Sequence, residues 1–550
     1  MRRFFIAMTI IMALAFSGMA RNAETTAFEA LQDDYESGAI DLSGYVENLI
    51  NSVKSPDLLD GEYRDLTTGR SGTAPLVEAY NLIQELPEEE RSRLRPMLAR
   101  PWGLSDIHET SHFRIHYTTS GGDAASPSFI TSMGNACEGA WDQLATTRGF
   151  DTPPSDGSAG GNSKYDIYVR NLSSGILGYC EPEGSVPSTP HNDATSFINM
   201  RNSYSAYSYS PLQLMQQTAV HELFHSFQMG YDVSEGPWFM EISSVWIEDD
   251  MYPTYDEEHA YLGEFFNNPE VTITTYNGAH EYGSYHFATY MTEEFGANTM
   301  HEIWEQCKWV SATAAIQGVA SDNGSSRNEC FSEFFVWNLF TGSRSPAGNY
   351  PEGDDFPEID IEDVVYPGDY PVVGGGSSNY PDHLASNYFE LNIPSGASGP
   401  FSVSFDGEDG GIWSAQLVFP GATSYAVADI PLDGYGYGYI TIPESTYTVY
   451  GNVYLVVGML STSGEDWNFS YSAAFDTISA ALNPPRDLVA ESGHSGQVPL
   501  SWTAPVGGGT GGEEEISYDD GTGVSYYPST VFDDGDIEFV RFTYTSPCTL

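Results

Sequence analysis

The sequence predicts a multidomain chain: an α+β domain followed by an all-β sandwich. Three observations lead there. A length of 550 residues is three to four times a typical domain of roughly 150. Residues from about 106 to 345 show short alternating strands first and long helical patterns after them, which favours α+β over a doubly wound sheet. Beyond Pro346 the pattern becomes short alternating runs with Gly, Pro and Asp turns at regular spacing, as in a β-sandwich.

In chain order, Arg2-Arg3, an apolar run from Phe4 to Phe16 and the exit Ser17-Gly18-Met19-Ala20 read as a Sec-type signal peptide over residues 1–20. The mature protein is therefore expected to be secreted, extracellular or held at the cell surface. No other run reaches the roughly 20 apolar residues of a membrane span. Residues 21–105 are polar and acidic, with Leu76, Ala79, Tyr80, Leu82, Ile83 and Leu86 at helical spacing. They are expected to be a pro-region, as in a zymogen, or a permanent N-terminal helical region.

In the 106–345 domain, His112–Tyr117, Tyr165–Val169 and Ala194–Met200 alternate as strands, and Phe129–Thr146 reads as a helix. Residues 346–382, rich in Pro, Gly and acid, are expected to be a linker. The 383–480 sandwich is expected to use Tyr388–Ile393, Phe401–Phe405, Trp413–Phe419, Tyr437–Ile442, Val453–Val457 and Trp467–Phe475. Residues 481–550 read as a further linker and an incomplete C-terminal β module.

Charge excludes whole classes of partner. Twenty basic residues stand against 77 acidic ones, a net charge of −57, and the lysines are Lys54, Lys164 and Lys308 alone. Phosphate neutralisation cannot drive binding to nucleic acid, nor can such a surface dock on anionic lipid. Acidic clusters at Asp354-Asp355, Asp406–Asp409 and Asp533–Asp536 offer oxygen ligands for Ca²⁺, but none fits the twelve-residue EF-hand loop and solvated turns account for them better. Five cysteines in an exported chain suggest bridges; proximity favours Cys137–Cys180 and Cys307–Cys330, with Cys548 left over.

The sharpest motif is His221-Glu222-Leu223-Phe224-His225. On a helix, four residues turn the chain by about 400°, so both imidazoles project from one face and can share one Zn²⁺. Glu222, about 100° around, can reach a water there without being a ligand. The flanks support a helix: Ser210-Pro211-Leu212-Gln213 suits a capped start and Gly230 suits a stop. A third ligand is needed. Gln228 and Tyr231 occupy the places where a metzincin has glycine and a third ligand, so that pattern fails. The next helical stretch, from Pro237 to Pro253, offers Glu241, with Glu248 on nearly the same face as a rival ligand or as a carboxylate that orients a histidine. His259 is a remote alternative.

These residues, with Pro237-Trp238-x-x-Glu241 and the segment Tyr282-Gly283-Ser284-Tyr285-His286-Phe287, resemble the gluzincin branch of zincin metallopeptidases, in particular secreted bacterial members. The resemblance covers about 110–340. It implies a zincin-like fold, a Zn²⁺ held by His221, His225 and Glu241, and hydrolysis of a protein or peptide substrate with Glu222 as general base and acid. It further implies an oxyanion donor, Tyr282, with Tyr285 and His286 as rivals, and pairing of the strand Ser196–Met200 with an extended peptide. The rival reading, motivated by the β modules, is a glycan- or cell-surface-binding protein with a structural or relict zinc site.

Overall fold

The computed structural model describes residues 26–66, 69–344, 349–375, 379–421, 424–450 and 452–475, with three short strands beyond them. The expected signal peptide, Cys548 and Asp533–Asp536 lie outside the described residues, as does most of the C-terminal module. Among the described residues no helix is long and apolar enough to cross a membrane.

The N-terminal region folds as a helical layer: α1 (Ala27–Glu36), α2 (Leu42–Lys54), α3 (Thr73–Leu82) and α4 (Glu88–Leu94). Thr26 and Asp41 cap α1 and α2 through side-chain oxygens that accept from Glu29 N and Gly44 N. Helical spacing puts Tyr45, Val46, Leu49, Ile50 and Val53 of α2 on one face, packed with Leu76 and Ala79 of α3. The layer does not close its own core. Leu172, Ile176 and Tyr179 of the next domain complete it.

That domain carries a mixed five-stranded sheet of β1 (Asp106–Glu109), β2 (Phe113–Tyr117), β3 (Tyr165–Arg170), β4 (Gly178–Ser185) and β5 (Ala194–Arg201), in the order β1-β2-β3-β5-β4. Strand β3 is parallel to both β2 and β5, while β4 runs antiparallel to β5 at one edge. Helices α5 (Pro127–Trp141) and α6 (Pro211–Gln228) pack on each other, and α6 rests on β4 and β5. α7 (Pro237–Met251) lies against α6, and α8 (His286–Phe295), α9 (Thr299–Cys307), α10 (Ala312–Asp322) and α11 (Arg327–Leu339) extend the helical side. Apart from α5, which lies between β2 and β3, strands precede helices in this domain, as patterning predicts, but β1 and β4 are not legible: Gly178-Tyr-Cys-Glu-Pro-Glu-Gly-Ser185 has no period-two alternation.

The β region forms two sheets face to face, β11-β10-β13-β8-β6 and β12-β9-β14-β7. Their strands are β6 (Asp363–Val365), β7 (Val372–Gly375), β8 (Ala385–Asn392), β9 (Phe401–Gly407), β10 (Trp413–Pro420), β11 (Tyr425–Asp429), β12 (Tyr437–Ile442), β13 (Asn452–Met459) and β14 (Phe469–Ala474). Phe389, Leu391, Phe401, Val403, Phe405, Leu417 and Leu455 fill the space between them. Strands β6 and β7 arise from the stretch expected to be a linker; runs of three and four residues are too short to show a period. The outer face of β8 and β13 is buried as well: the Tyr388 hydroxyl donates to the Phe335 carbonyl of α11 at 2.9 Å, and Phe340 stacks on Tyr425. Further on lie β15 (Arg486–Ala490), β16 (Pro499–Thr503) and β17 (Ile516–Ser517).

Three expectations are corrected. Cys137, Cys180, Cys307 and Cys330 are all free, buried thiols. Each packs within the apolar core, Cys180 against Met229 Sδ at 3.9 Å, and burial pushes the thiols of Cys137, Cys180 and Cys330 up to about 12. Ser196–Met200 belongs to β5, which is hydrogen-bonded on both sides by β3 and β4, so it has no free edge for a peptide. Ser210 stands at the start of α6 without a side-chain capping hydrogen bond, so the expected capping box does not form.

Candidate metal centre

The site is built from two helices that cross over the sheet. α6 starts at Pro211, whose missing N–H costs nothing in a first turn, and runs to Gln228. Gly230 follows its end at a close approach: a Cβ there would stand 3.0 Å from the Phe227 carbonyl and 3.1 Å from Pro154. α7 also begins on a proline, Pro237, which places Glu241 one turn in and Glu248 two turns later.

His221, His225 and Glu241 converge with every ligand atom within 4.8 Å of the others. The two Nε2 atoms are 3.1 Å apart, and Glu241 Oε2 lies 3.1 Å from His221 Nε2 and 3.4 Å from His225 Nε2. All three residues are buried.

Hydrogen bonds fix both rings. His221 Nδ1 donates to Glu248 Oε1 at 2.7 Å. His225 Nδ1 donates to Gln228 Oε1 at 2.8 Å, and the Gln228 amide nitrogen is committed to Met240 O, Ser243 Oγ and Ser244 Oγ, so its oxygen must face the ring. With both Nδ1 atoms donating, both Nε2 atoms are turned to the gap they share with Glu241. Neither Glu241 oxygen has a hydrogen-bond partner, although the side chain is only 1% exposed. A buried carboxylate is costly without a compensating charge. Burial would raise the Glu241 carboxyl, but His225 and His221 outweigh it and hold it below the usual range; burial disfavours the charged His221 ring, yet Glu241 and Glu248 push it up to about 10. The cluster demands a positive charge at its centre. A divalent cation meets that demand, and so does a proton.

Glu222 is buried beside this group, and desolvation raises its pKa against the lowering effect of His221 and His225. Its Oε2 accepts from Thr73 Oγ1 at 2.9 Å. Gly178 of β4 lies so close that a Cβ there would stand 2.8 Å from Glu222 Cγ, which sets the edge strand directly against the motif.

The other candidates separate. Tyr282 is brought to the triad: its ring centroid lies 6.3 Å from that of His221, and burial followed by Glu241 keeps the phenol protonated. His286 is packed among Phe265, Phe266 and Phe334, where burial lowers it to about 3. The Tyr285 hydroxyl is buried without a hydrogen-bond partner, and burial, then the charges of Asp249 and Glu258, keeps it protonated. His259 joins Asp256 and Glu352 in a separate group whose ligand atoms also fall within 4.8 Å of one another. Glu248 is no part of the triad; besides His221 it accepts from Arg70 at 2.5 Å, and Arg70 also donates to Glu257 at 2.7 Å.

Arg70, Thr73, Ser244 and Gln228 had not been picked out as parts of the site. Gln228 had a signal, since it sits three residues after His225 and reaches that ring from the same helix. Arg70 and Thr73 had none.

No family model matches the chain, and no curated protein matches it. Among solved structures, the pre-peptidase C-terminal domain of collagenase from Bacillus anthracis is similar at 14% identity, over 22% of this chain and 98% of that domain, with a TM-score of 0.15. A score so low carries no argument about fold or function.

Proposed function

We propose that the chain is a zinc-dependent peptidase, with Zn²⁺ held by His221, His225 and Glu241. The observation that carries this reading is the triangle of donor atoms, 3.1, 3.1 and 3.4 Å on its sides. Donors placed tetrahedrally around zinc at roughly 2.0–2.1 Å stand about 3.3–3.4 Å apart. The orphaned oxygens of Glu241 supply the second support, because a cation is what they lack.

Zinc in such a site lowers the pKa of water and polarises a carbonyl. The protein does the rest. Glu248 and Gln228 hold the two rings in the tautomer that leaves Nε2 unprotonated. Glu222 takes the proton of the attacking water and returns it to the leaving nitrogen. Tyr282, kept protonated by burial, is the donor for the oxyanion. Strand β4, at the sheet edge beside Glu222, is the track for an extended peptide. Export through the N-terminal signal places this activity outside the cell.

The test pairs metal content with casein cleavage, measured after limited proteolysis in the irregular stretch 99–105 ahead of β1. Zinc-loaded protein should cleave. Glu222→Gln should hold the same zinc and cleave about 10²–10⁴-fold more slowly. Equal cleavage by the two proteins, or none by either with zinc bound, overturns the reading.

A further inference from the structure

The cleft beside Glu222 is already filled, and the filling comes from the chain itself. Residues ahead of α3 meet the free side of β4 at one point: Ser71 forms an isolated bridge to Gly178 in the parallel sense. Leu177 N donates to the Arg70 carbonyl at 2.9 Å, Gly72 N to the Gly178 carbonyl at 3.4 Å, and Cys180 N to Thr73 Oγ1 at 2.9 Å. The edge that an extended peptide would need is therefore taken.

Two side chains lock the segment in place. Thr73 Oγ1, while accepting from Cys180 N, donates to Glu222 Oε2 at 2.9 Å, so the proton-transfer oxygen is spoken for. Arg70 is 7% exposed and sits between Glu248 and Glu257 at 2.5 and 2.7 Å, with its guanidinium 5.7 Å from the Tyr261 ring centre. Glu248 and Glu257 are buried carboxylates that share this one guanidinium, and removing it would leave both without a counter-charge. The segment meets Glu222 with a hydroxyl, while its Arg70 carbonyl is turned to β4. Its fit is close: a Cβ on Gly72 would stand 2.4 Å from Val53 Cγ1 and 3.3 Å from Tyr179 Cβ.

We propose that residues 69–73 are a self-ligand: a segment anchored by Arg70 and laid against the β4 edge that keeps Glu222 and the His221–His225–Glu241 group closed until it is displaced. The partner this surface fits is thus a peptide that places a basic side chain between Glu248 and Glu257 and a hydroxyl side chain, three residues later, at Glu222. The latency rests on the peptidase reading above; the occupancy of the edge does not.

The experiment uses the full chain, its Gly72→Val variant, and the near-isosteric Thr73→Val as the variant that spares the packing. Amide hydrogen exchange at Leu177 reports the edge without metal or catalysis, and casein cleavage with zinc present reports the site. In the wild type the Leu177 amide should be protected and cleavage absent. Gly72→Val should speed Leu177 exchange at least tenfold and Thr73→Val at least threefold, with cleavage appearing in step. A synthetic hexapeptide of the sequence of residues 69–74 should restore protection to the Gly72→Val protein, and the same peptide with leucine in the arginine position should not. Unchanged Leu177 exchange in both variants overturns the proposal, as does detectable cleavage by the wild type equal to that of both variants, or equal protection by the two peptides. Faster exchange with no cleavage upholds the self-ligand and overturns the peptidase reading instead.

Discussion

Glu241 and Glu248 lie on one helix and both touch His221, so separating a ligand from an orienting carboxylate is the sharpest quantitative test. Binding of structural Zn²⁺ releases about 10–16 kcal/mol across four ligands, or about 3 kcal/mol for each. Glu241→Gln replaces the one anionic ligand of three with a neutral amide oxygen and should weaken zinc about 10²–10³-fold. Glutamine fits the same volume, and neither Glu241 oxygen holds a hydrogen bond that the fold would lose. Glu248→Gln leaves all three donors but brings an NH₂ group to compete for the place that accepts from His221 Nδ1 at 2.7 Å. Loss of such an orienting partner costs about 10–100-fold. Competition titration against a chromophoric chelator at fixed pH gives both numbers on one scale. The reasoning is refuted if Glu248→Gln weakens zinc more than Glu241→Gln, or if neither substitution changes the affinity.

Stability should fall on both sides of neutrality. Burial lowers His280 to about 4 and His286 to about 3, so between those values and about 6.5 the unfolded chain binds protons that the fold excludes, and stability is lost as pH drops through that window. Urea midpoints for His286→Phe, whose ring would sit among Phe265, Phe266 and Phe334, should lose about 2 kcal/mol less than wild type between pH 7 and 4.5; an identical loss refutes this. Burial raises Glu258 to about 9, so the fold keeps a proton that the unfolded chain gives up above about 4.5, and stability is lost as pH rises towards 9. Glu258→Gln should flatten that alkaline limb in the same titration. Thiol alkylation without reductant should modify Cys137, Cys180, Cys307 and Cys330 only after denaturation, and a mass spectrum of the denatured, unreduced protein lacking those four adducts would show that bridges form after all.

Features that depend on neighbours along the chain are readable from the order of residues alone. His221, Glu222 and His225 share a helical turn because a 3.6-residue period is a local property, and the prolines at 211 and 237 mark where α6 and α7 begin. Alternation gave β9, β10 and β12 within two residues of their observed ends, since one face of each strand is apolar. Periodicity failed where both faces are covered or where runs are short, as in β4, β6 and β7. That Glu241 completes the group while Glu248 turns a ring follows from how α7 crosses α6 in the folded chain and not from spacing within α7. Only folding places Thr73 on Glu222 and Arg70 on Glu248, contacts that span 149 and 178 residues. Such pairings leave no trace in a local pattern. They exist because the helical layer lacks enough apolar surface to close its own core, docks on Leu172, Ile176 and Tyr179, and so carries its connecting segment into the cleft.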